Sequence, residues 1–406
     1  MAFESFLKSV FTTGDIEARL PGGMTLRLGD GSPPHVVVTI ADRQTLARIM
    51  ASPSLGAGEA WMDARLTLQH GTIQQLVELA CRTTNARPGG RRAGPLQRWM
   101  ARQVQERNAP IRSRRNVAHH YDLSVDLYRA FLDEDLQYSC AYFEHPGATL
   151  EEAQTAKKRH IAAKLALAPG LRVLDIGCGW GGMALSIAGW TGAHVDGVTL
   201  STEQLATARA RAEATGLASL ASFSLTDYRD IEGPYDRIVS VGMFEHVGRP
   251  NYQAYFDQIA RLLADDGVAL IHSIGRMDGP SRTDPFTAKY IFPGGYIPAL
   301  SEVLPAVERA GLWVTDIEVL RFHYADTLHA WGERFARARP RMAELYDERF
   351  CRMWEYYLVA AEMGFRYGRH MNFQLQLSKR AATLPMTRGY MAEAEDALGE
   401  GVRRVA

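Results

Sequence analysis

From about residue 150 onward, apolar runs of strand length alternate with stretches of helical period, the pattern of a doubly wound, mostly parallel sheet. Residues 171–176, 193–198, 221–225, 235–241 and 267–273 read as successive strands, and 164–167 closes the helix before them. Residues 183–188, 202–214 and 252–263 read as helices between or beside those strands. Two further strands are expected at 313–322 and 372–377, the second with clean period-two alternation in Asn372-Phe373-Gln374-Leu375-Gln376-Leu377. Between them, residues 326–368 read as a helical, aromatic-rich insertion.

The first 85 residues have a different rhythm. Residues 24–28 and 35–40 read as strands around the turn Gly29-Asp30-Gly31-Ser32-Pro33-Pro34, and 43–51 and 73–81 read as helices. A basic stretch follows. Arg82, Arg87, Arg91, Arg92, Arg98 and Arg102 begin a run that extends to Arg115 and is opposed only by Glu106. Pro88-Gly89-Gly90 and Gly94-Pro95 break it as a linker would. It reads either as a solvated connector or as a surface for anionic phospholipid, where each cation contributes about 1 kcal/mol. Nucleic acid is disfavoured, because no reader fold accompanies the charge. These shifts divide the chain into a small α+β domain at 1–85, a basic linker at 86–115, a catalytic domain at 116–385 carrying the insertion at 326–368, and a tail at 386–406.

Composition narrows the setting. A chain of 406 residues with 46% hydrophobic and 23% charged content has ample material for two globular domains. The formal net charge of +0 leaves any electrostatic function to local clusters. Cys81, Cys140, Cys178 and Cys351 show no C-x-x-C pairing, so neither a zinc site nor a disulfide framework is expected. The N-terminus does not read as a signal peptide, and no run approaches the ~20 apolar residues of a membrane span. The expected setting is cytoplasmic, with any bilayer met from outside.

The candidate chemistry centres on Val173-Leu174-Asp175-Ile176-Gly177-Cys178-Gly179-Trp180-Gly181-Gly182, an apolar strand running into a glycine turn and then a helix. Such a turn brings backbone amides close to a nucleotide-like ligand. Gly177, Gly179 and Gly182 satisfy the dinucleotide spacing, so NAD has to be considered. Asp175, two residues before the first glycine, suits a cationic head group instead. The acid that NAD needs at the tip of the second strand is missing, since Asp196 lies inside that strand. The pattern Leu174 to Gly181 resembles the first motif of class I S-adenosylmethionine (SAM) methyltransferases, and SAM is the better reading.

Further motifs resemble cyclopropane-fatty-acyl-phospholipid synthases, and the likeness runs nearly the whole chain. They are Gly58-Glu59-Ala60-Trp61-Met62-Asp63, His120-Tyr121-Asp122-Leu123-Ser124, Gln137-Tyr138-Ser139-Cys140-Ala141-Tyr142-Phe143, Val241-Gly242-Met243-Phe244-Glu245-His246-Val247-Gly248, His272-Ser273-Ile274-Gly275 and Lys289-Tyr290-Ile291-Phe292-Pro293-Gly294-Gly295. The resemblance implies a Rossmann-like SAM methyltransferase domain behind a lipid-engaging N-terminal domain. It also implies peripheral association with the inner membrane face, and a homodimer. The implied reaction adds a one-carbon unit across the cis double bond of unsaturated phospholipid acyl chains, forming cyclopropane fatty acids. An alkene needs no activating base, but the cation left on the acyl chain must lose one proton in a dry site for the ring to close. By resemblance, bicarbonate serves as that base, held by Glu245, His272, Tyr324, Cys140 and the backbone of Ile274. Resemblance assigns SAM binding to Tyr138 and Ser139, to Asp175, Gly177, Cys178 and Gly179, and to Thr199, Leu200, Ser201 and Gln204. Asp227, Tyr228 and Arg229 would receive the adenine, with Tyr228 offering a stacking face.

One position departs from the pattern. After Met353-Trp354-Glu355-Tyr356-Tyr357-Leu358 the family carries a cysteine, where this chain has Ala361 followed by Glu362. Alanine can be neither base nor anion ligand, so Glu362 is expected either to face the pocket and replace the base or to be an ordinary outward helix carboxylate. Loss of the cysteine also opens the route to methyl- or methylene-branched products. A small-molecule methyltransferase is the rival enzyme, although it would not need the basic linker or the aromatics Trp331, Tyr346, Trp354, Tyr356 and Tyr357. A non-catalytic SAM-binding lipid sensor is disfavoured by Glu245, His272 and Tyr324.

Overall fold

The computed structural model describes residues 2–85 and 124–405. The chain falls into two units, one of residues 1–104, 282–293 and 325–369, the other of 105–281, 294–324 and 370–406. The basic linker, 86–115, lies outside the described residues. So does most of the His120–Ser124 motif, of which Ser124 is seen capping the helix Val125–Phe131.

In the first unit, β1 (Asp15–Leu20), β2 (Met24–Gly29), β3 (His35–Ile40) and β4 (Leu66–His70) pair in the order β2-β1-β3-β4. β1 runs parallel to β3, and the other two pairings are antiparallel. The apolar runs announced β2 and β3. They did not announce β1, which buries Ile16, Ala18 and Leu20 on one face while Asp15, Glu17 and Arg19 alternate on the other. β4 buries only Leu66. The aromatic insertion forms the helices His323–Leu345 and Glu348–Arg366. In chain order it interrupts the second unit, but from Ala325 onward it groups with the first, where Glu348–Arg366 packs on the helices Pro53–Met62 and Ile73–Asn85.

This packing joins two motifs that are far apart in sequence. Glu59 accepts hydrogen bonds from Lys289 Nζ (2.6 Å) and the Tyr290 hydroxyl (2.9 Å). Gly58 is needed for the approach, because a Cβ there would stand 2.4 Å from the Phe286 ring.

The second unit holds β5 (Arg172–Ile176), β6 (His194–Thr199), β7 (Ala221–Leu225), β8 (Tyr235–Val241), β9 (Leu263–Arg276), β10 (Trp313–Leu320) and β11 (His370–Ser378). They form one sheet in the order β10-β11-β9-β8-β5-β6-β7. β7, β6, β5, β8 and β9 are mutually parallel, and β11 runs antiparallel to both β9 and β10. The order reverses beside β5, which has β6 on one side and β8 on the other, and a crevice opens there at the carboxyl ends. The fold is a Rossmann-like doubly wound sheet.

β11 departs from its pattern in an informative way. Strict alternation ordinarily marks a half-buried strand, yet both faces of β11 are buried. Phe373, Leu375 and Leu377 enter the apolar core with Ile259, Val303 and Val307. Asn372, Gln374 and Gln376 point the other way, under the helix Leu150–Lys164, where Gln374 Oε1 accepts from Lys164 Nζ at 2.8 Å and Gln376 donates to the Lys164 carbonyl. That helix starts on a capping box, Thr149 with Glu152, and buries Lys157, Lys158, His160 and Lys164. The stretch read as a tail contains the helix Gly389–Val405, which packs on it.

Candidate active site

The crevice is lined from four directions by the carboxyl ends of the central strands. Asp175, Gly177, Cys178, Gly179 and Trp180 come from the turn after β5, and Thr199, Leu200 and Gln204 follow β6. Thr226, Asp227, Tyr228 and Arg229 follow β7, while Gly242, Met243, His246 and Asn251 follow β8. Gln137, Tyr138 and Ser139 close one side.

The glycine turn is dictated by geometry. Gly177 has φ +79°, and a Cβ there would lie 2.9 Å from Met243. Gly179 has φ +54°, and a Cβ there would project into open space, the kind of gap that lets a ligand meet backbone. Asp175 is buried, and its Oδ2 has no hydrogen-bond partner. Burial pushes the Asp175 carboxyl up to about 7, against the opposing pull of Lys157. A buried carboxyl with an unpaired oxygen beside a lined crevice is built to receive a cation, as the ammonium of SAM requires. The residues present fit that cofactor.

After β6, the Thr199 hydroxyl donates to Gln204 Oε1 at 2.9 Å. Ser201 does not line the crevice; its hydroxyl caps the helix Thr202–Ala214 by accepting from the Gln204 amide. After β7, Asp227 is held by Arg229, whose Nε donates at 2.8 Å. Tyr228 stands edge-on to Tyr255 with ring centroids 5.4 Å apart. Trp180, Met243, His246 and Asn251 were missed by sequence reasoning, although His246 sits in a quoted motif beside Glu245. Lys157 was missed as well, and nothing in its mid-helix position marks it. It is fully buried and donates to Gln137 Oε1 (2.5 Å) and Ser139 Oγ (2.8 Å), which fixes that wall of the crevice. Burial pushes the Lys157 ammonium down to about 8.

Of the proposed catalytic groups, Glu245 and Ile274 are joined directly: the Ile274 amide donates to Glu245 Oε1 at 2.6 Å. Glu245 lies in the 3-10 turn Phe244–His246. Its Oε2 is buried without a partner, and burial raises the carboxyl to about 7 despite hydrogen bonds from the Ile274 amide and Ser273. His272 is two residues back along β9, its ring nitrogens each 3.2 Å from the side-chain amides of Asn372 and Gln374. Burial, then the charges of Lys157 and Lys164, push His272 down to about 3, so the ring is neutral. Cys140 is buried, its thiol 3.3 Å from the Ala141 carbonyl. Tyr324 is buried in the first turn of the helix His323–Leu345.

Glu362 belongs to the first unit. It is buried rather than outward-facing, with both oxygens engaged. Oε1 accepts from Arg366 Nε at 2.7 Å and lies 3.4 Å from His329 Nδ1, while Oε2 accepts from Gln74 at 3.2 Å.

The sheet order and the crevice at its reversal define a SAM-dependent methyltransferase. More narrowly, the chain belongs to the mycolic acid cyclopropane synthetase family, whose model matches residues 108–375. It is 38% identical over 376 residues to the cyclopropane-fatty-acyl-phospholipid synthase of Escherichia coli K12, covering 89% of this chain and 93% of that protein. It is 42% identical over 269 residues to a tuberculostearic acid methyltransferase of Mycobacterium tuberculosis, covering 63% of each. Among solved structures, mycolic acid cyclopropane synthase CmaA1 complexed with SAH and CTAB superposes with a TM-score of 0.62 at 35% identity, over 65% of this chain and 97% of that one. The chain is an enzyme of the cyclopropane synthase type that uses SAM as its methyl donor.

Proposed function

We propose that this enzyme alkylates the cis double bond of unsaturated phospholipid acyl chains and closes the product to a cyclopropane. The observation that carries the reading is Glu245: a buried carboxyl near 7, with one oxygen unpaired, on the turn that also lines the crevice. Bound SAM supplies an electrophilic methyl on a sulfonium. Asp175 and the turn amides hold the methionine end, Thr199 and Gln204 the ribose, and the Asp227–Tyr228–Arg229 segment the adenine. The crevice wall built on Lys157 keeps Tyr138, Ser139 and Cys140 in place. Burial of Glu245, His272 and Tyr324 would keep water from the acyl cation, and the unpaired Glu245 Oε2 is the proposed acceptor of the proton whose loss closes the ring. A bicarbonate ion would be held there by donating its hydroxyl to Oε2, and would relay the proton it takes from the acyl cation on to Glu245. The helices His323–Leu345 and Glu348–Arg366 are the proposed acyl-binding element, and the basic linker the proposed contact with an anionic membrane surface.

A second reading, a methyl-branched product, is favoured by Ala361 at the family's cysteine position and by the tuberculostearic acid methyltransferase among the relatives. Release of S-adenosylhomocysteine by vesicles of monounsaturated phospholipid, but not by saturated ones, tests the proposed reaction. Substrate-independent release, or none, contradicts it.

A further inference from the structure

The ring of His272 has both nitrogens hydrogen-bonded from the neighbouring strand, and the pattern of those bonds fixes where its one proton sits. The chain of reasoning starts at Lys164, on the last turn of the helix Leu150–Lys164. An ammonium group only donates, so the Gln374 atom that Lys164 Nζ meets at 2.8 Å must be the oxygen. The other end of that amide, its NH₂ group, therefore faces His272 Nδ1 at 3.2 Å and donates to it. Nδ1 carries the lone pair, and the hydrogen of the neutral ring lies on Nε2. Asn372 then has to present its oxygen to Nε2. Its Oδ1 otherwise stands buried with no partner, and turning the amide over satisfies it.

Lys164 is itself held. It bonds Glu318 on β10, and Glu318 Oε2 also meets His160 Nε2 at 2.6 Å. The other nitrogen of His160 lies 3.2 Å from Glu395 on the C-terminal helix, and its ring stacks on Tyr142. The orientation of one buried amide is thus anchored across two helices and two strands.

We propose that Lys164 and Gln374 are positioning residues that lock His272 in the Nε2–H tautomer, so that its one hydrogen is committed to Asn372 and the ring takes no part as a base. This inference rests on the proposed role of the Glu245–His272 cluster. A ring with Nε2 already protonated and Nδ1 already engaged has no position from which to act as base.

The test is nitrogen NMR of the full chain labelled with ¹⁵N-histidine, without ligand, near neutral pH. The His272 signals are assigned by their loss in His272→Gln. The wild-type ring is expected as Nε2–H; an Nδ1–H ring or an imidazolium overturns the proposal. Gln374→Glu replaces the donor with a carboxylate, so His272 is expected to gain a proton on Nδ1. Retention of the wild-type pattern would show that Gln374 does not set it. Lys164→Arg keeps a donor and should keep the tautomer, whereas Lys164→Met should populate both forms. Turnover of Gln374→Glu is expected to fall roughly tenfold to a hundredfold, the usual cost of an orienting partner, with SAM affinity unchanged. Because the tautomer is read without substrate, it can fail while lipid methylation stands, and the reverse.

Discussion

At the residue scale, two buried carboxyls, Asp175 in the crevice and Glu245 on the turn after β8, carry opposite assignments from the same physics. Asp175 and Glu245 are both buried with one unpaired oxygen and both raised to about 7 by burial. A cation brought to Asp175 returns it to the carboxylate form. SAM binding is therefore expected to tighten as pH rises through about 7, and isothermal titration of Asp175→Asn should show a flat pH profile with affinity about tenfold to a hundredfold weaker. With Glu245 as the proposed base, turnover should rise through the same range and then level. Glu245→Gln should abolish turnover by at least about 10²-fold while still binding SAM. Stability runs the other way. Both groups bind a proton more tightly folded than unfolded, so their contribution is complete below the unfolded carboxyl range and is lost as pH rises through about 7. The ligand-free chain should lose on the order of a few kcal/mol between pH ~5 and ~8 by denaturant titration, and Asp175→Asn with Glu245→Gln should remove that slope.

At the element scale, buried polar groups decide what could be read in advance. The turn after β5 was legible because sharp backbone geometry leaves only glycine, and the strand-then-helix pattern around it has one common use. β11 was legible as a strand, while its depth was not: its glutamines look like a solvent face and are matched to Lys164 instead. The helix Leu150–Lys164 was read only at its end for the same reason, since Lys157, Lys158, His160 and Lys164 face inward. Periodicity assumes that polar means outside, and here partners from distant strands overturn that assumption.

Glu362 belongs to this scale too. It ties its helix to Gln74 and His329, on the two helices beside it, and its loss should be felt as stability. Glu362→Gln is expected to lower the unfolding free energy by about 1–3 kcal/mol and to leave the lipid product unchanged. A changed product at unchanged stability would instead assign it a chemical role. Gly58→Ala drives a methyl into Phe286 and should cost about 1–3 kcal/mol, read by the same titration.

At the scale of the whole molecule, the chain joins a lined SAM crevice to a small α+β unit that captures the aromatic helices. Among the described residues no helix is long and apolar enough to cross a membrane. The proposed access to lipid runs through the arginines of the linker. Replacing Arg91, Arg92, Arg98 and Arg102 with glutamine should reduce co-sedimentation with anionic vesicles, by about 1 kcal/mol per charge at low salt, and leave SAM affinity as it was. Equal sedimentation of variant and parent would remove the linker from lipid recognition. Sequence identified the class because its motifs cluster at strand ends. It did not show that the helices grouping with the first unit are encoded after the crevice.

The most direct measurement supplies SAM with a trideuterated methyl group to the enzyme and vesicles of monounsaturated phospholipid, then weighs the recovered acyl chains before and after mild hydrogenation. Loss of one deuterium to the base, two retained in the product, and resistance to hydrogenation are the predicted result. An acyl chain that keeps all three deuteriums, or one that returns unmodified, contradicts ring closure at Glu245.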